Sequence, residues 1–128
     1  MKKLISLFII CVICFTVQAQ IPQTSLNIIK RHYPTHSITH YEYTNKFFIV
    51  KLSNNTILKF KKNGDLVEVI GYVPTLLIPY QINNHLMWHY PHRPIQHYHK
   101  HKKGYDLKFK NGRHVRYNKR YKLKDKTR

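Results

Sequence analysis

The chain has 128 residues, with 23 Lys or Arg against five Asp or Glu, for a formal net charge of +18 at pH 7. That length supports one compact domain with a modest core, and a field of this sign attracts anionic partners: phosphorylated glycans, lipid headgroups, nucleic acid or acidic proteins. The five acids form no recognisable pair and no serine sits in a nucleophile elbow, which argues against hydrolytic chemistry.

The first residues read as a secretory signal. Lys2 and Lys3 precede an apolar run from Leu4 to Val17, and Val17-Gln18-Ala19 offers a peptidase site with cleavage after Ala19. The run falls short of the roughly 20 apolar residues that a spanning helix needs. Cys11 and Cys14 both lie inside it and follow isoleucine, not the small residue that lipidation requires. The expected mature protein therefore starts at Gln20, reaches an oxidising compartment without a thiol, and has no stable membrane anchor.

Beyond the signal, one pattern is written twice at an offset of 57 residues. Ile21-Pro22 recurs as Ile78-Pro79, and His32-Tyr33-Pro34 as His89-Tyr90-Pro91. Ile38, His40 and Tyr41 recur as Ile95, His97 and Tyr98, and Lys51 and Asn54 as Lys108 and Asn111. Each copy opens on a helix whose first turn tolerates proline and which ends before the next one. Leu26, Ile29 and Tyr33 share one face of the first helix; Ile82, Leu86, His89 and Tyr90 share one face of the second.

After each helix the period changes to two. Ile38 to Tyr43 and Ile95 to Lys100 read as first strands. Phe48, Val50 and Leu52 point one way in the next strand, as do Tyr105, Leu107 and Phe109, with Lys51, Asp106, Lys108 and Lys110 on the other side. Asn54-Asn55 and Asn111-Gly112 suit hairpin turns. The returning strands bury Leu58 with Phe60, and Val115 with Tyr117. Asn63-Gly64 makes a further hairpin leading to Leu66, Val67 and Val69. Its counterpart Arg120-Tyr121 is a poor turn, so the second copy is expected to end in a short or frayed strand. The fold class is α+β, two tandem α-β-β-β(-β) repeats with helices packed on antiparallel sheet. The expected units are residues 1–19 as signal, residues 20–121 as a domain of two repeats (21–70 and 78–121, joined by Gly71 to Leu77), and residues 122–128 as a mobile basic C-terminal tail.

Phe48-x-Val50-x-Leu52 with Asn54-Asn55 and Phe60, and Tyr105-x-Leu107-x-Phe109 with Asn111-Gly112 and Tyr117, resemble the β-lactamase-inhibitor-like, PepSY-like family of secreted bacterial proteins. Ile-Pro before each helix and Tyr-Pro after it complete the resemblance, which covers nearly the whole mature chain. It implies a BLIP-like repeat fold, a periplasmic or extracellular location and a non-enzymatic binding module, with inhibitory protein binding as one form of that role. It implies no catalytic residues and no cofactor.

Several residues bear on what is bound. His97, His99 and His101 alternate and so share one side of a strand, near His85, His89 and His92. Neutral imidazoles suit zinc, copper or nickel. Lys100, Lys102 and Lys103 add repelling charge, however, and a closed structural zinc site wants four ligands, so no metal site is assigned. Trp88 falls with Gln81 and Asn84 away from Ile82 and Leu86, which makes it either a contact surface or a packing residue against the other repeat or the connector. Arg113, Arg116, Lys119, Arg120, Lys122, Lys124, Lys126 and Arg128 crowd the C-terminal end. The expected partner is a protein, bound through the sheet or the Trp88 face, or alternatively an anionic envelope polymer held electrostatically. Intact-mass measurement of exported protein is expected to show Gln20 as first residue and no added lipid; a retained leader would refute the cleavage assignment.

Overall fold

In the computed structural model, which describes residues 21–91 and 93–127, each half of the chain is one helix followed by four strands. The expected signal segment lies outside the described residues, as does His92. Helix α1 spans Gln23–His32, and β1 (Ile38–Tyr43), β2 (Phe47–Leu52), β3 (Ile57–Lys61) and β4 (Leu66–Ile70) follow. The connector carries a 3-10 turn at Thr75–Leu77. Then come α2 (Tyr80–His89), β5 (Ile95–His101), β6 (Gly104–Phe109), β7 (His114–Asn118) and β8 (Leu123–Thr127). All eight strands form one antiparallel sheet in chain order.

The repeat extends to backbone detail. Pro22 and Pro79 are helix N-caps, one position earlier than a first-turn proline. Their carbonyls accept from Leu26 N–H at 3.1 Å and Asn83 N–H at 2.9 Å, so the missing proline N–H costs nothing. Each helix closes with the N–H of Tyr33 or Tyr90 on the carbonyl of Ile29 or Leu86. The β1–β2 register slips between Ile38 and His40, and the β5–β6 register between Ile95 and His97, the same place 57 residues on. The bulge at Lys59/Phe60 likewise recurs at Arg116/Tyr117. Bulges fix register and twist, so their recurrence is stronger support for duplication than any identity of side chains.

Both helices lie on one side of the sheet. Ile29, Tyr33, Ile82 and Leu86 join a single buried cluster with Val50, Leu58, Val69, Tyr98, Leu107 and Val115. Those six strand residues form one continuous cross-strand row, starting from the half-buried Tyr41 on β1. The row crosses from first repeat to second at Val69↔Tyr98, so the two copies share one core. Tyr33 is buried and donates its hydroxyl to the Tyr72 carbonyl at 2.6 Å, tying α1 to the connector. Its counterpart Tyr90 is only half-buried, packed against the Phe109 ring with Arg93 over its face. The two positions are thus equivalent in backbone but not in environment.

Three expectations need correction. Residues 123–127 are not a tail but strand β8, paired with β7 from His114↔Thr127 to Tyr117↔Leu123. The turn before it forms because Tyr121 adopts φ 66°, the counterpart of Gly64 at φ 98°. Asn118 makes that possible: its Oδ1 accepts from the N–H of Arg120 and of Lys122, at 2.9 and 3.0 Å. The third correction concerns His89, which is exposed and off the packing face of α2.

Gly104 opens β6 at φ +147°, and a Cβ there would meet the Tyr117 carbonyl oxygen at 2.0 Å. Gly112, in the β6–β7 turn at φ +93°, has open space around it. Gly104→Ala should therefore destabilise by at least about 3 kcal/mol, and Gly112→Ala by about 1 kcal/mol from backbone conformation alone. Urea unfolding of the two variants checks this; equal losses would contradict it.

Candidate functional site

With both helices on one side, the opposite face of the sheet is left without a helical cover among the described residues. Strand alternation assigns it Lys51, Ile57, Lys59, Ile70, the β5 histidines and Lys108. Pairing register orders the strand positions into rows. One row runs Glu42–Ile49–Lys59–Glu68–His99–Asp106–Arg116–Asp125 across all eight strands. It gathers four of the five acids in the protein. Nothing in their linear spacing brings them together; six hairpins and the seam between repeats do.

Opposite charges therefore sit side by side across strands, where each exposed pair contributes a few tenths of a kcal/mol. Glu68 Oε2 lies 2.5 Å from His97 Nε2, a diagonal contact that bridges the two repeats. Asp106 is flanked by Arg116, with Nε at 3.7 Å, and by His101. The His101 Nε2 is 3.2 Å from Asp106 Oδ2 but not aligned for a hydrogen bond. The three β5 histidines do share one side, as their spacing requires, with ring centroids 6.4 Å apart for His97 and His99 and 5.5 Å for His99 and His101. Among the described residues, no three His, Cys, Asp or Glu side chains converge as a metal site would.

The neighbouring row reads His40–Lys51–Ile57–Ile70–His97–Lys108–His114–Thr127. Ile57 and Ile70 face each other there, and Ile70 is 48 % exposed. With Ile49 one row away they form a small apolar patch, bordered by Lys51 and Lys59. Lys59 itself stacks on the Phe47 ring at 4.1 Å. Lys51, Lys61 and Lys108 make no ion pair among the described residues. The face thus combines a dry patch with unneutralised cations.

A concavity lies on the other side of the sheet, between the helices. About 540 Å³ in volume, it is lined by Ile28 and His32 of α1, by Tyr80 of α2 and by Tyr98, Tyr105 and Tyr121 on the sheet. Tyr105 and Tyr121 stack at 5.6 Å. Burial, then the hydrogen bond with Tyr121, push the Tyr105 phenol up to about 12, and burial raises Tyr98 as well. These phenols stay protonated at any physiological pH and offer hydroxyls, not charge. Trp88, which sequence left divided between surface and packing, is 80 % exposed. Among the described residues the basic side chains of the C-terminal end are spread out: Arg116 lies on the open face, Lys119 and Arg120 in the last turn, and Lys124 on β8.

On the helix side, His85 Nδ1 and the Tyr117 hydroxyl are 2.7 Å apart. Burial, then repulsion from His89, hold the His85 pKa below 6.5, and burial lowers His32 too. Both stay neutral in the folded state at pH values where the unfolded chain already binds a proton. Their contribution to stability is complete above about pH 6.5 and is lost as pH falls through that value toward the lowered folded pKa. The melting temperature should fall between pH 7 and pH 5, and His85→Gln should flatten that slope; an unchanged slope would contradict the assignment.

Comparison with known proteins follows the geometry closely. A family profile described as "Putative beta-lactamase-inhibitor-like, PepSY-like" matches twice, over residues 15–68 and 67–125, and the chain belongs to that family. The two matches coincide with the two halves of the sheet. No curated protein matches the chain significantly. Among solved structures, a "putative periplasmic protein" of the DUF2874 family from Bacteroides vulgatus superposes with TM-score 0.77 at 25 % identity, covering 86 % of this chain and 92 % of that one. A second B. vulgatus "putative periplasmic protein of unknown function" gives 0.77 at 20 % identity, over 86 % and 94 %. A "putative calcium-regulated periplasmic protein" from Bacteroides thetaiotaomicron gives 0.77 at 24 % identity, over 86 % and 92 %. The last two speak to the fold alone.

Proposed function

We propose that this member of the PepSY-like family is a non-catalytic binding module of the bacterial envelope that holds an acidic protein on its open sheet face. The observation that carries the reading is the pairing of Ile57 with Ile70 on that face, bordered by Lys51 and Lys59. Protein interfaces combine a desolvated apolar centre with a polar rim, and exposed lysines select an acidic counterpart by steering and register. Of the acids on the face, Glu68 lies against His97, and Asp106 lies against His101 and Arg116, while Lys51 and Lys108 have no ion pair among the described residues and are left to meet a partner. The periplasmic description of the B. vulgatus neighbour at 25 % identity supports placement outside the cytoplasm. The calcium regulation in one neighbour's description has no matching carboxylate cluster among the described residues.

The alternative occupant is a linear polyanion, which would use the cations and ignore the isoleucines. Photo-crosslinkers placed at Lys51, Ile70 and His99 in the intact protein, expressed in the envelope, separate the two. Protein adducts at these positions, absent from Gln23 and Asn27 on α1 and weakened by Ile57→Glu, are expected. Binding should lose less than about tenfold between 50 and 200 mM salt, where six to ten phosphate contacts would lose roughly a thousandfold or more. Equal labelling of both sides of the sheet would contradict the proposal.

A further inference from the structure

The internal duplication supplies its own control for the outer surface of each helix. On α2, Ile82 and Leu86 face the core, and the opposite pole of the helix carries Tyr80, Asn84, Met87 and Trp88. Tyr80 is 77 % exposed, Met87 66 % and Trp88 80 %, and Leu76 in the preceding turn is 85 % exposed. The same four positions on α1, 57 residues earlier, are Gln23, Asn27, Lys30 and Arg31. One fold position therefore has two compositions, an ordinary solvated face in the first copy and an aromatic and thioether face in the second. Packing does not require the second, because the first copy folds without it.

Charge tells what such a face suits. Neither helix contains an acid, and no acid occurs between Glu68 and Asp106. Lys30 and Arg31 project from α1, while His85 and His89 lie on α2 and Arg93 just beyond it. Three of the five acids, Glu42, Glu68 and Asp106, stand on the far side of the sheet, and Asp65 sits at a hairpin turn beside the groove. Exposed Trp, Tyr, Met and Leu on a predominantly basic surface is the composition that settles at a lipid headgroup boundary, where aromatic rings bridge apolar and wet layers and basic residues meet anionic lipids. No helix among the described residues is long and apolar enough to cross a membrane, so the contact is peripheral.

We infer that the outer face of α2 docks reversibly on an anionic phospholipid surface, with Trp88, Met87 and Tyr80 entering the headgroup layer and the cations of the helical side facing lipid phosphates. This orientation leaves the open sheet face pointing away from the bilayer, and the inference does not depend on what that face binds. Trp88 is the sole tryptophan, so its fluorescence reports the contact directly. With phosphatidylglycerol vesicles and the intact mature protein, Trp88 emission should move to the blue and be quenched by brominated acyl chains. Phosphatidylcholine vesicles should bind about tenfold more weakly or less.

The decisive variant transplants the α1 surface onto α2: Tyr80→Gln, Met87→Lys and Trp88→Arg together. It keeps a composition the fold already accepts and raises the positive charge, yet it should reduce co-sedimentation with phosphatidylglycerol vesicles about tenfold. Lys51→Glu with Lys108→Glu on the opposite face should change it less than about twofold. Three results would overturn the inference: no co-sedimentation of the wild-type protein, co-sedimentation with unchanged Trp88 emission, or a transplant that binds as tightly as wild type. The second would mean that the sheet face, or charge alone, meets the lipid.

Discussion

Everything in this fold depends on the pairing of β4 with β5. Each repeat brings one ten-residue helix and four short strands, too little apolar surface to hold a core unaided. At the seam, Val69 meets Tyr98 on the core side while Glu68 and Ile70 meet His99 and His97 on the other. The Gly71 N–H bonds to the Gln96 carbonyl at 2.8 Å and extends the ladder into the connector. Once this pairing forms, two half-cores become one. The same step brings Glu68 of the first repeat against His97 and His99 of the second, so packing and surface chemistry have a common origin.

An eight-stranded sheet has two faces, and two helices on the same side cover only one. The uncovered face must satisfy its own side chains, and the cross-strand row does so by setting the acids Glu68 and Asp106 between Lys59, His99 and Arg116. Spending four acids on that row leaves the helical side without acids on either helix. The asymmetry between the two sides of the molecule is thus a consequence of register, given a sequence with only five acids to distribute. Duplication adds a second asymmetry. Each helix keeps its inner face, since Ile29 and Leu86 both serve the core, and only the outer faces have diverged.

Much of this architecture was legible in the sequence because it rests on local rules. The 57-residue offset, the helix-ending prolines and the turns at Asn55, Gly64 and Gly112 follow from backbone preferences, and all three turn residues take the positive φ their types favour. Strand β8 was not legible, because Tyr121 is a poor left-handed residue by itself and the Asn118 side chain that stabilises the turn lies three positions away. The row of acids could not be read either. Its members are spread from Glu42 to Asp125 and align only after four bulges have set the register. A helical wheel sets Trp88 opposite Ile82 and Leu86, but it cannot tell an exposed pole from one covered by the other repeat.

The seam is the central claim, and native-state amide hydrogen exchange tests it most directly. If the two repeats form one cooperative sheet, the slowest amides of β3 in the first copy and β6 in the second will exchange through the same global opening. They will then show the same opening free energy and the same dependence on denaturant. Protection of β3 that persists while β6 exchanges freely, or the reverse, would mean that the repeats fold as separate units, and the shared core and the face built across it would both be wrong.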